Sequence, residues 1–501
     1  MQIADFDASN NLVDLFLRRA DELGERPFLT AKHEGEWRSL SWREAAGQVC
    51  LLAEALRRLG LEDGDRVVLV SENRPEWALA DLAIMAAGCI TTPAYITNTE
   101  RDHAHVLENS GARAVIVSDR QLAGALLPAA IRAGLAEQLI GLGPLRNVQG
   151  NFQTHLWADL VQGDPAAARE AVDARIGGIA REDPACIIYT SGTSGSPRGV
   201  LLSHGAILRN VAGAGEVLAG DFGWSDERFL SFLPLSHALE HTAGLYLPIG
   251  LGANIWYAEG LDKLAANLEE CRPTFMIVVP RLFEMLRGRI VKQVEKQGKL
   301  ANFLLDRALT LAERQGAGQR RRLADWPIER LLDATLRPKI RKRFGGHIKA
   351  LISGGAPLNP EIGAFFQSLG LVMAQGYGQT ESAPIVSVNY PSSGIKLDTV
   401  GPPLRGVEVK IADDGEILVR GELVMLGYWR NEEETAKTVV DGWLHTGDIG
   451  HLDERGRIVI TDRKKDIIVN DKGDNIAPQK LEGMLTLQPE IAQAMVSGDK
   501  R

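Results

Sequence analysis

The chain has 501 residues, more than one ordinary hydrophobic core can use, so several domain-sized units are expected. An apolar fraction of 45% and a charged fraction of 24% are those of a soluble globular protein, and a net charge of −9 argues against a general nucleic-acid binder. The four cysteines (Cys50, Cys89, Cys186 and Cys271) form no Cys-x-x-Cys pair, which points to a reducing compartment and away from structural zinc.

The first residues, Met-Gln-Ile-Ala-Asp-Phe-Asp, carry neither a basic region nor an apolar stretch, so no secretory signal is visible and a cytoplasmic location is expected. Residues 42–59 have helical spacing and end at Gly60, and residues 66–71 and 112–118 read as strands. The most apolar stretch, 77–95, is interrupted by Asp81 and reads as a buried helix over 75–87 followed by a strand near Ile90, not as a membrane span. Buried strands are expected at 185–189, 200–202, 275–279 and 350–353, with a helix from Pro280 to about Gln297. This alternation predicts an α/β fold with largely parallel sheets, and no internal repeat is apparent.

Residues 314–343 hold ten Lys or Arg against three Asp or Glu. They read either as a solvated helix face or as a contact for an anionic membrane or a phosphorylated ligand, carried by Arg320, Arg321 and Arg322 and by Arg341, Lys342 and Arg343. After about residue 385 the texture changes to short strands at 407–411, 416–420 and 457–460 separated by Gly-containing turns, which predicts a small β-barrel-like unit over 385–461. A new α/β segment is expected from Asp462 to Arg501.

Residues 189–200 read Tyr-Thr-Ser-Gly-Thr-Ser-Gly-Ser-Pro-Arg-Gly-Val. Glycines let the backbone approach a ligand, successive N–H groups can form an anion nest, and Thr190, Ser191, Thr193, Ser194, Ser196 and Arg198 add side-chain donors. Gly192 and Gly195 are too close for a Walker loop, no Lys-Ser/Thr follows, and a strand rather than a helix comes next. A polyphosphate cradle of another kind is therefore expected. Ser353-Gly354-Gly355-Ala356-Pro357 joins a strand to a helix and lets a flat ring or acyl chain approach, or is a plain turn.

In Gln375-Gly376-Tyr377-Gly378-Gln379-Thr380-Glu381, Tyr377 can present its ring to a base, Thr380 can donate to phosphate, and Glu381 suits Mg²⁺. Asp448 in His445-Thr446-Gly447-Asp448 follows a tight turn and can accept both hydroxyls of a ribose, with Arg463 as a supporting cation. His237-x-x-Glu240-His241 matches a zinc-peptidase pattern, but no third ligand is obvious; a His and a Glu at a pocket mouth is the more natural reading.

In this order the stretches YTSGTSGSPRGV, LPLSH, SGGAP, GYGQTE, HTGD and DRKKDIIVNDKGDNIAP resemble the adenylate-forming superfamily, and most of all its long-chain fatty acyl-CoA synthetases. The resemblance spans nearly the whole chain. It implies a large N-terminal domain over 1–461, made of two α/β sheet subdomains and the barrel-like unit, then a hinge and the start of a C-terminal domain at 462–501. It implies ATP, Mg²⁺ and coenzyme A, and two half-reactions: a fatty acid and ATP give acyl-adenylate and pyrophosphate, then the thiol of coenzyme A gives thioester and AMP.

Carried onto this chain, Thr190, Ser191, Gly192, Thr193, Ser194, Gly195 and Arg198 hold the β- and γ-phosphates, and Thr193 joins Glu381 at the metal. Tyr377, flanked by Gln375, Gly376 and Gly378, stacks on adenine, and Gly354, Gly355, Ala356 and Pro357 line the adenine and acyl pocket. Thr380 and Glu381 serve the α-phosphate, Asp448 the ribose with Arg463 assisting, and His237 the reacting carboxylate. Thr193, Arg198, His237 and Glu381 are the expected catalytic groups.

Ser194 and Arg198 stand where the family usually has Thr and Lys; donor and charge are kept, but the forked guanidinium is expected to hold pyrophosphate differently. The family's adenylation lysine lies in a longer C-terminal domain, and Lys500 does not match its position, so the resemblance implies a truncated C-terminal domain without that lysine. Two alternatives stay open: an adenylating enzyme for another acid that loads a carrier protein, and a nucleotide-binding protein without catalysis.

Overall fold

A computed structural model describes residues 6–145, 150–190, 196–316 and 325–465, and beyond these 468–469, 475–476, 481–482, 485, 491 and 494–498. Two eight-stranded sheets dominate. The first runs Gly427–Tyr428, Arg198–Ser203, Pro184–Thr190, Ile90–Pro93, Arg66–Val70, Ala114–Val117, Gln138–Gly141 and Gln153–Leu156 in spatial order. Its first two neighbouring pairs are antiparallel and the rest parallel. The second runs Ser387–Val388, Met373–Tyr377, Ala350–Ser353, Phe275–Val278, Arg228–Ser231, Asn254–Tyr257, Pro27–His33 and Glu36–Ser41, antiparallel only at its two edges. The largely parallel α/β arrangement expected from the strand–helix alternation is present.

One hydrophobic core contains residues of both sheets and of the helices between them. Helix Pro75–Ala86 shows why residues 77–95 are so apolar: every residue from Trp77 to Ala86 is buried. No described helix is long and apolar enough to cross a membrane. Helix Trp42–Arg58 starts on a capping box in which Ser41 and Glu44 satisfy each other's backbone donors.

Asp81 is the polar exception in the buried run from Trp77 to Ala86. Its Oδ2 accepts hydrogen bonds from His241 Nε2 at 2.8 Å and Tyr246 Oη at 2.5 Å, and all three residues are buried. This triad ties helix Pro75–Ala86 to the π-helix Glu240–Tyr246. It also commits His241 to a structural partner, so the His-x-x-Glu-His stretch is not arranged around a metal.

The β-rich stretch builds a five-stranded antiparallel sheet of Glu408–Ile411, Glu416–Arg420, Val439–Val440, Trp443–Leu452 and Ile458–Arg463. The same stretch also reaches outward: Ser387–Val388 edges the second sheet and Gly427–Tyr428 edges the first. The antiparallel unit is thus hydrogen-bonded into a chain segment that belongs to all three sheets. Strand Ile458–Arg463 runs through Asp462, which is buried. Most of the segment expected after it lies outside the described residues, apart from a small pairing of 468–469 with 475–476.

Replacing Asp81 with Ala strands the donors of His241 and Tyr246 in a dry core, at a cost of about 1–3 kcal/mol for each. Thermal unfolding is expected to show a large loss of stability for Asp81→Ala and a smaller one for Asp81→Asn, which keeps an acceptor oxygen.

Candidate active site

Thr190 and Arg198 are the last register partners of an antiparallel hairpin, and residues 191–197 join its two strands there. Ser191, Gly192, Thr193, Ser194 and Gly195 lie outside the described residues. Both flanks are fixed by helix Glu100–Ser110: His105 Nε2 donates to the Pro197 carbonyl at 2.7 Å, and Tyr189 Oη donates to Asn109 Oδ1 at 2.7 Å.

Arg198 is not free. Its Nη1 lies 3.0 Å from Glu434 Oε2, and its guanidinium stands 4.5 Å from the centroid of the Tyr428 ring. The Tyr428 hydroxyl donates to Glu381 Oε1 at 2.8 Å. Met425 N donates to the Glu381 carbonyl at 2.9 Å, so segment 425–428 holds Glu381 by both backbone and side chain. Two of the sequence-predicted groups, the loop cation and the acidic residue, are therefore joined through one tyrosine that the sequence reading passed over. The phenol is held protonated above its ordinary pKa, first by burial and then by the adjacent carboxylate.

Asp448 is buried and reached from two directions. Tyr377 Oη donates to its Oδ2 at 2.7 Å, and Arg463 Nε lies 3.3 Å from its Oδ1. Burial raises its pKa, and Tyr377 and Arg463 pull it partly back. The sequence reading put Asp448 after a tight turn; it lies instead inside the long strand Trp443–Leu452, whose pairing slips by two residues beside Glu416–Arg420. Glu416 stabilises that irregularity, because its Oε1 accepts from Gly447 N at 2.8 Å and its Oε2 is 3.0 Å from Lys464 Nζ. Burial alone would raise the Glu416 pKa, but Lys464, the Gly447 amide and His445 more than reverse it.

Gly378 lies where no side chain fits: its φ is +157°, and a Cβ would fall 1.6 Å from the Pro384 carbonyl oxygen. The following loop is pinned by Asn210, whose Nδ2 donates to the Ser382 carbonyl at 3.0 Å and whose Oδ1 accepts from Ile385 N at 2.6 Å. Gln379 Nε2 donates to the Thr446 carbonyl at 3.3 Å, which joins this loop to the Asp448 strand. Thr380, in the single turn Thr380–Ser382, is half-buried beside Glu381. Gln375 is buried with its Oε1 unpartnered among the described residues, whereas Gly376 and Tyr377 pair with the edge strand Ser387–Val388.

Gly354, Gly355, Ala356 and Pro357 follow strand Ala350–Ser353 as expected, and all but Gly354 are exposed. Gly354 packs on Leu239, which a Cβ there would meet at 3.0 Å. The His237 turn therefore lies against the glycine loop. The His237 Nδ1 accepts from Leu239 N at 3.1 Å, so the neutral ring carries its proton on Nε2. The ring is exposed, yet the protein around it desolvates it and lowers its pKa, which favours that neutral form. Thr242 Oγ1 donates to the Ala383 carbonyl at 2.9 Å, closing the same wall onto the Glu381 loop.

Glu240 is buried at the start of the π-helix and neither carboxyl oxygen has a hydrogen bond of ordinary geometry. Burial pushes its pKa up to about 8; Ser231 and the Phe232 backbone are near enough only to moderate this.

The structure thus assembles Arg198, Glu381, Tyr377, Asp448 and Arg463 along one connected set of contacts, with His237 and Gly354 on a neighbouring wall. Tyr428, Glu434, Glu416 and Asn210 are the supporting residues that sequence reasoning missed. Among the described residues no cluster of three or more His, Cys, Asp or Glu could hold a metal by itself.

A sequence model of the family described as AMP-binding enzyme matches residues 16–429. The long-chain-fatty-acid–CoA ligase FadD15 of Mycobacterium bovis is 35% identical over 481 residues, covering 93% of this chain and 76% of that one. Long chain acyl-CoA synthetase 1 of Arabidopsis thaliana is 30% identical over 485 residues, covering 92% and 72%. Among solved structures, the o-succinylbenzoate CoA synthetase of Bacillus subtilis with its acyl-adenylate intermediate superposes with a TM-score of 0.70 at 21% identity, covering 98% of this chain and 86% of that one. The adenylation domain of a Mycobacterium chelonae carboxylate reductase gives 0.74 at 20% identity, covering 98% and 77%.

Between about pH 4.5 and 8 the folded protein keeps a proton on Glu240 that the unfolded chain has released, so this residue makes stability fall as pH rises through that window. Denaturant unfolding across pH 5–9 is expected to show Glu240→Gln gaining on the parent protein with each step upward. A difference independent of pH would show that Glu240 is not held protonated.

Proposed function

The chain belongs to the AMP-binding enzyme family, and from that premise we propose that it converts long-chain fatty acids to their coenzyme A thioesters with release of AMP and pyrophosphate. The observation that carries the reading is the Tyr377–Asp448–Arg463 cluster beside glycine-lined backbone. An aromatic face next to a buried, hydrogen-bonded carboxylate suits an adenine ring and its ribose hydroxyls. The names of the relatives support a fatty acid as the partner substrate and coenzyme A as the acceptor.

The two half-reactions then divide among these residues. The fatty acid carboxylate attacks the α-phosphorus and pyrophosphate leaves, so negative charge builds on phosphate oxygens. Fixed donors aimed at that charge are the main catalytic device. Thr190 and Arg198 face the β- and γ-phosphates together with the loop that contains Thr193, and Thr380 the α-phosphate. The neutral His237, with its proton on Nε2, donates to the acyl carboxylate and keeps it oriented. The coenzyme A thiolate next attacks the acyl carbon; the carbon–oxygen bond to AMP breaks, and AMP leaves as an anion bound by the same donors. Glu381 fits Mg²⁺ held mostly by substrate oxygens, because it is a single buried carboxylate with one oxygen already braced by Tyr428. Bound there, the ion would neutralise phosphate charge.

The basic helices have a divided role. Arg337 is spent on Glu329, Asp333 and the Ser368 carbonyl, and Arg341 on the Gly370 carbonyl. Lys339, Lys342 and Arg343 instead line an open cavity of about 340 Å³ with an apolar side of Ile290, Val294, Leu336 and Ile340. On the neighbouring helix Trp326 and Leu331 are exposed, and Arg330 stands 4.3 Å from the Trp326 ring centroid. We propose that this face meets anionic lipid. Arg320, Arg321 and Arg322 lie outside the described residues.

ATP–pyrophosphate exchange is expected to depend on added carboxylic acid and to rise with its chain length; exchange without acid, or ADP as product, would overturn the ligase reading. Asp448→Asn is expected to weaken ATP binding by about 10–100-fold, the loss of hydrogen bonds to a charged acceptor. Sedimentation with vesicles is expected to require phosphatidylglycerol, to weaken with salt and to weaken again in Trp326→Ala; equal binding to neutral vesicles would exclude the lipid face.

A further inference from the structure

Arg198 stands at the mouth of the hairpin that the proposed function assigns to the β- and γ-phosphates, and it is already occupied by an anion from its own chain. Glu434 Oε2 lies 3.0 Å from its Nη1, with the two side chains 38% and 25% exposed respectively. The Tyr428 ring covers one face of the guanidinium, and Arg198 Nε is buried without a hydrogen-bond partner among the described residues. A buried, unpaired donor on a cation is a costly arrangement that an arriving anion would relieve.

The position of Glu434 is fixed from behind. It follows the N-cap Asn431, whose side chain accepts from Glu434 N at 3.2 Å, and Tyr428 N donates to Thr435 Oγ1 at 2.8 Å. The start of helix Glu432–Thr438 is therefore locked to the same segment that presents Tyr428, and a carboxylate in a first helical turn is favourably placed. The result is a chain of contacts from Glu434 through Arg198 and Tyr428 to Glu381. A forked, stackable guanidinium can hold a carboxylate on one arm and a ring on its face; a lysine ammonium cannot.

We propose that Glu434 is a positioning residue that competes with pyrophosphate for Arg198. With the phosphate site empty it keeps the guanidinium docked on Tyr428. When the β- and γ-phosphates bind, they displace the Glu434 carboxylate, and after adenylation Glu434 reclaims Arg198 and speeds the departure of pyrophosphate. This rests on the ligase reading for the identity of the anion, while its test does not need the full reaction.

The test is calorimetric titration of the whole chain with inorganic pyrophosphate, for the parent protein, Glu434→Gln, Arg198→Met and the double variant. Glu434→Gln is expected to bind pyrophosphate roughly fivefold more tightly, the release of a part-buried ion pair worth about 1 kcal/mol. In the Arg198→Met background the same change is expected to have almost no effect. In steady state Glu434→Gln should lower KM for ATP and also lower kcat, because pyrophosphate leaves more slowly. Unchanged or weaker pyrophosphate binding in Glu434→Gln would overturn the proposal. An equal gain in both backgrounds would also overturn it, since it would assign the effect to Lys437, which Glu434 Oε1 contacts at 3.1 Å, or to charge alone. If the fourfold comparison behaves as expected but no carboxylic acid supports exchange, the ligase reading fails and the competition stands.

Discussion

Burying the Asp448 carboxylate is the constraint around which the site is built. A carboxylate out of water is tolerated only when hydrogen bonds and a cation replace its hydration. The two groups that do so come from different places: Tyr377 from the end of a strand in the second sheet, and Arg463 from the strand paired with Asp448 in the antiparallel unit. The demand for partners therefore fixes how the antiparallel unit sits against the second sheet. A ribose would meet a carboxylate already oriented, with little reorganisation left to make on binding.

A second tie works in the same way from the other side. Segment 425–429 leaves the antiparallel unit, pairs with the hairpin strand Arg198–Ser203, and delivers Tyr428 between Arg198 and Glu381. Leu426 N and Trp429 N donate to the Leu201 and Gly199 carbonyls, so the ring position is set by backbone bonds rather than by the ring itself. The Asn210 and Thr242 side chains then hold the loop after Glu381 against the helices of the large core. The charged groups are thus supported by three separate sheets, and Arg198 and Glu381 are each held by a neighbour outside the signature motifs.

Much of this was legible in the sequence where periodicity or glycine chemistry was strong. Strands at 66, 185, 200, 275 and 350, the buried helix from Pro75 and the loop after Ser353 follow from apolar runs and turn residues. The two-residue strands Ser387–Val388 and Gly427–Tyr428 are too short to carry a period, so the stretch after 385 read as one unit although it edges two other sheets. Asp448 read as a turn residue because Thr-Gly-Asp is turn chemistry; only the long-range carboxylate of Glu416 makes a bulged strand of it. Glu434 was invisible for a different reason. It ends a run of three glutamates that looks like a solvated helix face, and the Arg198 it meets lies 236 residues away. His241 shows the opposite error of short patterns, since its partner Asp81 is 160 residues away and no motif contains both.

The proposed function turns on one step, attack of a fatty-acid carboxylate on the α-phosphorus of ATP. The most direct measurement uses a long-chain fatty acid labelled with ¹⁸O in both carboxyl oxygens, turned over with ATP and coenzyme A and read by mass spectrometry. One labelled oxygen is expected in AMP and one in the thioester. Unlabelled AMP, or label appearing in inorganic phosphate beside ADP, would contradict the account.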